Sequence, residues 1–246
     1  MKLHNYVIFD CETGGLSKKD NLHALNHPIT QIALIGLDGS TLDEIQRYES
    51  YIKGKFVPSF KSDENVVEGY LGYSDVHNLV YQKQAFQATG ISVEKLESLG
   101  QDAKKVCNDL IDFFEKCKTE SNFHKIILVG HNVVYDIPFL QMIFKIFKKD
   151  LSKYLQGYYD HTGTFTPVYF DTQFLSRAKC VDDSLKHNLT EVATREGFEL
   201  VNAHEAMADT IITKEIFKKY LLQLRNSGTS DKIEQKSFRE NFKFEY

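Results

Sequence analysis

Three segments near the start of the chain have the hydrophobic pattern of β-strands. Residues 5–10 are a short apolar run, and residues 29–38 (ITQIALIGLD) form a second run that ends at the turn sequence DGS. Residues 41–52 (TLDEIQRYESYI) follow this turn and are predicted to form the second arm of a hairpin. The first part of the chain is therefore predicted to form three antiparallel strands.

The pattern of apolar residues becomes helical over residues 78–118, where they recur at spacings of three and four. Two short apolar runs, at 125–130 and 167–171, each precede an amphipathic segment and predict strands that lead into helices. A last helix is predicted at about 205–224. The summed prediction is an α/β fold with a mixed five-stranded sheet, three antiparallel strands followed by two parallel ones, and helices on both faces.

The length and apolar content predict one large domain. The 246 residues are 42% apolar, which is enough to bury a full core. We expect this domain to span residues 1–225 and a C-terminal tail to span residues 226–246. Residues 53–78 are rich in Gly, Ser, Asp and Tyr and are predicted to be a polar excursion from the core.

Charge and cysteine content exclude several classes of protein. A net charge of -4 argues against a protein that coats nucleic acid by bulk electrostatics. The four cysteines form no C-x-x-C pair, so neither a disulfide framework nor a structural zinc is indicated and a cytoplasmic setting is expected. No run approaches the roughly 20 apolar residues of a membrane span, so no membrane association is expected.

Two carboxylates stand together at the predicted end of the first strand. Side chains alternate between the faces of a strand, so Asp10 and Glu12 point the same way and Cys11 faces the opposite side. Two like charges repel each other, so each favours a proton or a shared cation. An isolated Asp-x-Glu is also explained by a solvated strand end, and other parts of the chain must decide between the two interpretations.

Two further acids accompany predicted helix starts. Asp136 begins the helix after a buried strand, a few residues beyond His131 and Asn132, and capping of that helix at roughly 0.3 to 1 kcal/mol would account for it alone. Asp209 is predicted about one and a half turns inside the last helix, just after His204. It falls at the edge of the apolar stripe, where an unpaired buried charge would cost several kcal/mol.

Taken in order, these motifs resemble those of the DEDD exonuclease superfamily, in its histidine-bearing (DEDDh, DnaQ-like) branch with a ribonuclease H-like fold. The residues that match its three motifs are, in order, Asp10, Glu12, Thr13 and Gly14; His131, Asn132 and Asp136; and His204, Ala206 and Asp209. The resemblance covers about residues 5–224. The chain departs from the family pattern at the polar excursion, at the longer segment KKDLSKYLQGYYDHTGTFT before the fifth strand, and in its tail.

The resemblance implies a 3'-5' exonuclease that releases 5'-mononucleotides from the 3' ends of single-stranded DNA or RNA by two-metal-ion hydrolysis. It implies that two divalent cations, Mg²⁺ with Mn²⁺ as a substitute, are held by Asp10, Glu12, Asp136 and Asp209. It implies that His204 is the general base. The residues implied to contact the terminal nucleotide are Thr13, Gly14, Leu16 and Asn132.

Several alternatives remain open on the sequence. The enzyme could be an RNA-specific trimming exoribonuclease or oligoribonuclease, and a non-catalytic nucleic-acid-binding module derived from this family is a second option. The tail sequence QKSFRENFKFEY has aromatic residues spaced like a docking segment for a polymerase or sliding clamp. The basic cluster of Lys145, Lys148, Lys149 and Lys153 could track the phosphates of a strand or form a solvated helix face.

Overall fold

The computed structural model describes residues 3–15, 23–61, 64–121, 124–182, 184–201 and 204–227. The strands are β1 (Tyr6–Thr13), β2 (Ile29–Leu37), β3 (Glu44–Tyr51), β4 (Lys55–Phe56), β5 (Val66–Leu71), β6 (Val80–Gln82), β7 (Ile127–Gly130), β8 (Gly157–Tyr159), β9 (Phe165–Pro167) and β10 (Tyr169–Asp171). The helices are α1 (His23–Asn26), α2 (Lys83–Thr89), α3 (Val93–Leu99), α4 (Ala103–Cys117), α5 (Ile137–Ile146), α6 (Thr172–Lys179), α7 (Leu189–Glu196) and α8 (Ala206–Ser227). Within these ranges, no helix combines the length and the apolar content needed to cross a bilayer.

The main sheet has five strands in the order β10-β7-β1-β2-β3. β1 pairs with β2, and β2 with β3, in antiparallel fashion, whereas β1 and β10 each pair with β7 in parallel. The predicted arrangement of three antiparallel strands followed by two parallel ones is confirmed. β1 continues to Thr13, beyond its predicted end, because β2 pairs with it as far as Ile29. Both acids of the first motif therefore lie within the strand.

The segment predicted as a polar excursion at 53–78 contributes β4 and β5 to a second, three-stranded sheet in the order β4-β5-β6. The segment lies outside the main sheet, but it is not purely polar, because Tyr70 is only 1% exposed and packs with Tyr81, Ile91 and Leu96. Pairing of β6 with β5 also corrects the predicted start of the next helix. That helix begins at Lys83 rather than near residue 78.

Helices cover both faces of the main sheet, as predicted. On one face, Val7 and Phe9 of β1 belong to a large core that includes residues of α4 and α5. On the other face, Tyr6 and Ile8 pack with Phe217 of α8. β1 is thus buried between α5 and α8, and all nine residues of the neighbouring β2 are buried too.

A buried carboxylate ties α8 to the two helices before it. Glu196 at the end of α7 lies 2.8 Å from the Nζ atoms of both Lys179 on α6 and Lys219 on α8, and it accepts a hydrogen bond of 2.9 Å from the hydroxyl of Tyr220. Burial alone would raise the pKa of Glu196. These three donors outweigh that effect and lower the pKa to about 2. The cluster therefore fixes the helix that carries Asp209.

Replacement of this carboxylate tests its contribution to stability. At pH 7, Glu196→Gln should lower the free energy of unfolding by about 2 kcal/mol, because charge-assisted hydrogen bonds are lost. The folded pKa of about 2 lies below the ordinary value, so the carboxylate contributes fully above about pH 4.5 and loses its contribution as the pH falls toward 2. Urea unfolding across this pH range should show the gap between wild type and variant closing.

The matched control is Glu199→Gln, which removes an exposed carboxylate three residues further along the chain. We expect it to change the free energy of unfolding by less than about 0.5 kcal/mol at either pH. An equal loss in both variants would contradict the role given to the cluster.

Candidate active site

Asp10 and Glu12 project from the face of β1 that α8 covers. They follow Tyr6 and Ile8 in the alternation of the strand, and those two residues contact α8. Asp10 lies opposite Ala33 of β2, and Glu12 lies opposite Gln31. The predicted common orientation of the two carboxylates follows from this register.

The start of α8 brings two further side chains to Glu12. The helix begins at Ala206, so Asp209 lies in its first turn, closer to the helix start than the predicted one and a half turns. One ligand atom from each of Glu12, His204 and Asp209 lies within 4.8 Å of the other two. His204 itself is exposed and has a left-handed backbone, with φ of 69°. The third predicted motif therefore lies against the first.

Gln31 fixes the start of α8, and the sequence motifs do not include it. Its side chain is 1% exposed, its Oε1 accepts a hydrogen bond of 3.3 Å from the backbone N–H of Ala206, and its Nε2 donates one of 2.7 Å to Glu49. A buried helix start needs such partners for its free N–H groups. The available signal was a glutamine in a strand that is otherwise largely apolar.

Asp136 faces β1 instead of capping its own helix. It occupies the N-cap position of α5, yet its side chain makes no capping hydrogen bond in the described part of the chain. Its Oδ1 accepts a hydrogen bond of 3.2 Å from the thiol of Cys11, and the backbone N–H of Cys11 also donates to the carboxylate. The capping interpretation therefore does not account for this side chain. Cys11, which alternation placed on the opposite face from Asp10, is a contact that the motifs missed.

The other two residues of the second motif have different environments. The ring nitrogens of His131 each lie 2.9 Å from a fold partner, Nδ1 from the hydroxyl of Thr172 and Nε2 from the carbonyl of His187. Asn132 is exposed and left-handed, with φ of 60°, and its backbone N–H donates to Asp171. Asparagine tolerates this backbone conformation better than most residues. His131 thus supports the loop, whereas the Asn132 side chain reaches solvent.

The turn after β1 uses its own polar groups. The N–H of Gly14 donates to the carbonyl of Pro28 at 2.7 Å, and its carbonyl accepts from Gln82 at 2.6 Å. The fold therefore already uses both backbone groups of Gly14, and the expected contact of this residue with a nucleotide stays a prediction. A Cβ at Gly14 would lie 2.8 Å from a ring carbon of Pro28, so only glycine fits. Thr13 is buried and donates to the carbonyl of Gly15 at 3.2 Å, while Leu16 lies outside the described residues.

All four carboxylates of the site hold their protons more strongly than usual. Burial, followed by the charges of Asp136, Asp209 and Glu12, raises the pKa of Asp10 well above its ordinary value. Burial likewise raises the pKa of Asp136. Burial and the charge of Asp209 raise the pKa of Glu12 to about 7, although His204 opposes the shift. Burial raises the pKa of Asp209 to about 6, although a hydrogen bond from the backbone N–H of His204 opposes the shift.

These residues fit a divalent cation. The Oδ1 atom of Asp209 is buried and has no hydrogen-bond partner among the described residues, a state that costs free energy in the absence of a ligand. A cation would both satisfy this oxygen and favour the charged form of the neighbouring carboxylates, which burial disfavours. Carboxylate oxygens are the ligands preferred by Mg²⁺ and Mn²⁺.

The sequence comparisons connect the chain with DNA polymerases. No family model matches it. It is 27% identical over 232 residues to the PolC-type DNA polymerase III of Staphylococcus haemolyticus, and 27% identical over 231 residues to that of Staphylococcus saprophyticus. The matches cover 94% and 93% of this chain but only 12% of each polymerase.

The structural comparisons connect it with Escherichia coli exonuclease I. The complex with a dT13 oligonucleotide matches with a TM-score of 0.62 and 20% identity, over 92% of this chain and 42% of that one. The zinc-bound complex with single-stranded DNA matches with a TM-score of 0.61 and 19% identity, over 91% and 41%. The chain spans less than half of exonuclease I. The likeness to these structures shows the fold, and it confirms the ribonuclease H-like fold that the sequence predicted.

Proposed function

We propose that the chain is a 3'-5' exonuclease of the DEDDh type that depends on divalent cations and releases 5'-mononucleotides from single-stranded DNA. The observation that carries the proposal is the cluster of Glu12, His204 and Asp209, whose ligand atoms lie within 4.8 Å of one another. Asp209 also has a buried carboxylate oxygen with no hydrogen-bond partner among the described residues. Such a set of acids with one histidine suits phosphodiester hydrolysis.

The carboxylates have the role of holding cations. We assign two divalent ions, Mg²⁺ with Mn²⁺ as a substitute, to Asp10, Glu12, Asp136 and Asp209. When bound, the ions would supply positive charge that offsets the phosphodiester and lowers the pKa of water. The thiol and backbone N–H of Cys11 hold Asp136 in place, and Gln31 holds the helix start next to Asp209.

His204 has the role of general base. Its ring adjoins the carboxylates, and its exposure lets it pass a proton to solvent. It would accept a proton from the water that attacks phosphorus, while the bond from phosphorus to the 3' oxygen of the preceding nucleotide breaks. That oxygen takes up a proton, so the products are a 5'-mononucleotide and a strand with a new 3'-hydroxyl.

DNA is the substrate that the comparisons favour. The similar proteins are described as a DNA polymerase and as exonuclease I bound to DNA oligonucleotides, and no feature of the described residues favours RNA. The similarity to PolC also makes a polymerase a reasonable partner. Residues 228–246, which include most of the proposed docking tail, lie outside the described residues. The free cysteines fit a cytoplasmic setting.

Mononucleotide release from a 5'-labelled single strand tests the assigned roles. Asp209→Asn should reduce the rate to background, because the site loses a cation ligand. His204→Ala should reduce it by roughly 10² to 10⁴ fold, the usual contribution of a general base. Asp182→Asn, at an exposed acid remote in sequence from the three motifs, should leave the rate unchanged.

A strand with a 3'-phosphate should resist digestion. Two results would overturn the proposal: full activity in the Asp209→Asn protein, or rapid cutting of circular single-stranded DNA, which has no end.

Thermal unfolding with and without Mg²⁺ tests cation binding independently of activity. The folded pKa of Glu12, about 7, exceeds its ordinary value, so the folded state binds more protons than the unfolded state and its stability falls as the pH rises from 5 to 8. At pH 8 without cations, Glu12→Gln should therefore be more stable than wild type, by up to about 3 kcal/mol.

At pH 5 the difference in stability between Glu12→Gln and wild type should be much smaller. Mg²⁺ should stabilise the wild type more at pH 8 than at pH 5, since protons and cations compete for the same oxygens. An equal Mg²⁺ effect in wild type and in Glu12→Gln would count against a cation site at this carboxylate.

A further inference from the structure

A groove of about 630 Å³ runs along α5, outside the cluster of acids. Its floor is apolar and includes Met142 and Phe144 of α5. Its rim carries Lys145, Lys148 and Lys149, three members of the basic cluster seen in the sequence. The groove therefore combines an apolar surface with a positively charged edge.

The groove has a net positive charge, because three lysines and one acid, Asp150, line it. Lys145, Lys148 and Lys149 are exposed, and none of them forms an ion pair with another described residue. Asp150 keeps its negative charge, because its hydrogen-bond partner is a neutral serine, but it offsets only one of the three lysines. Asp150 accepts hydrogen bonds of 3.0 and 2.6 Å from the backbone and hydroxyl of Ser152, and Asp160 caps its own turn through Thr162 and Thr164. An anionic ligand would therefore be attracted to the rim.

The hairpin of β8 and β9 forms one wall of the groove. Its Tyr159 is 61% exposed, its ring lies 5.5 Å from that of Phe165, and its hydroxyl donates to Ser152 at 2.7 Å. Gln141 of α5 donates a hydrogen bond of 2.6 Å to the carbonyl of Phe165, which attaches the hairpin to the helix. An aromatic ring held this way next to unpaired lysines is the combination that binds single-stranded nucleic acid.

The groove and Asp136 share the N-terminal end of α5 but lie on different sides of the helix. Pro138 lines this end of the groove, about 200° of helical rotation from Asp136, and Lys148 and Lys149 lie just beyond the other end of the helix. Ten residues of α5 span about 15 Å. A strand whose 3' end lies at the acids would pass around the first turn of α5 and then continue along the groove. A favourable interaction with the dipole at the C-terminal end of α5 would be another explanation for one of these lysines. It would not explain the exposed tyrosine.

We propose that this groove binds the part of a single-stranded DNA substrate that precedes its 3' end. The lysines contact phosphates, and Tyr159 stacks on a base. This inference rests on the proposed exonuclease function and adds the path of the strand to it. The hairpin comes from the segment before the fifth strand in which the chain departs from the DEDD pattern.

Binding of an oligonucleotide of about 16 nucleotides, measured by fluorescence anisotropy with EDTA present, tests the lysines. The variant is Lys145→Ala with Lys149→Ala, which leaves the left-handed Lys148 untouched. In a plot of log affinity against log salt concentration, each phosphate contact contributes about 0.7 to the magnitude of the slope. Loss of two contacts should therefore make the slope of the variant shallower by about 1.4. Two exposed lysines of α4 provide the control, Lys104→Ala with Lys116→Ala, which should keep the wild-type slope.

Tyr159 is tested in the same assay. Tyr159→Ala should weaken binding by about 10-fold, the usual effect of losing one stacked base, whereas Tyr159→Phe should bind as wild type. Equal weakening in the alanine and phenylalanine variants would overturn stacking.

Digestion assays separate this inference from the proposed function. The lysine variant should release mononucleotides from a dinucleotide at the wild-type rate, but should show a higher KM on the long strand. Wild-type KM and wild-type salt slope in the lysine variant, or equal losses in the α4 control, would overturn the groove as the path of the strand. If the wild type digests neither substrate, the exonuclease function itself fails.

Discussion

The loss of solvation at four neighbouring carboxylates is the constraint on which the rest of the candidate site depends. Asp10, Glu12, Asp136 and Asp209 all have raised pKa values, with burial as the main cause, so the folded chain keeps these acids together at a cost in free energy. The rest of the core supplies the stability that makes this possible. Costly clusters of this kind are typical of functional sites, because evolution retains them only where they serve a purpose.

β1 organises the site because it is buried between two helices. Its α8 face presents Glu12 to Asp209, and its α5 face presents Cys11 to Asp136. Each helix start is fixed by a contact with the sheet. Gln31 accepts the hydrogen bond of the first residue of α8, and Cys11 donates to the residue that precedes α5. Small errors in either helix position would separate the acids, so the sheet determines the precision of the site.

Local periodicity accounts for what could be predicted from the sequence. It gave the five strands of the main sheet, and alternation along β1 placed Asp10 and Glu12 on one face. The errors concern long-range pairing. The helix expected from residue 78 starts later because β6 pairs with β5. Likewise, no periodic signal could link Gln31 with Ala206, 175 positions further along.

The composition of the site bears on how a strand would be selected. Its acids and histidine can interact with phosphate and with cations, and neither kind of contact depends on the identity of a base. Selection by strand type or length must then come from neighbouring surfaces. The groove along α5 carries an exposed tyrosine and lysines that form no ion pair with another described residue, and under our proposal these groups would recognise single-stranded character but not sequence. The three motifs would thus account for hydrolysis of the phosphodiester. The segment with the β8–β9 hairpin, which departs from the family pattern, would account for the selection of single-stranded substrates.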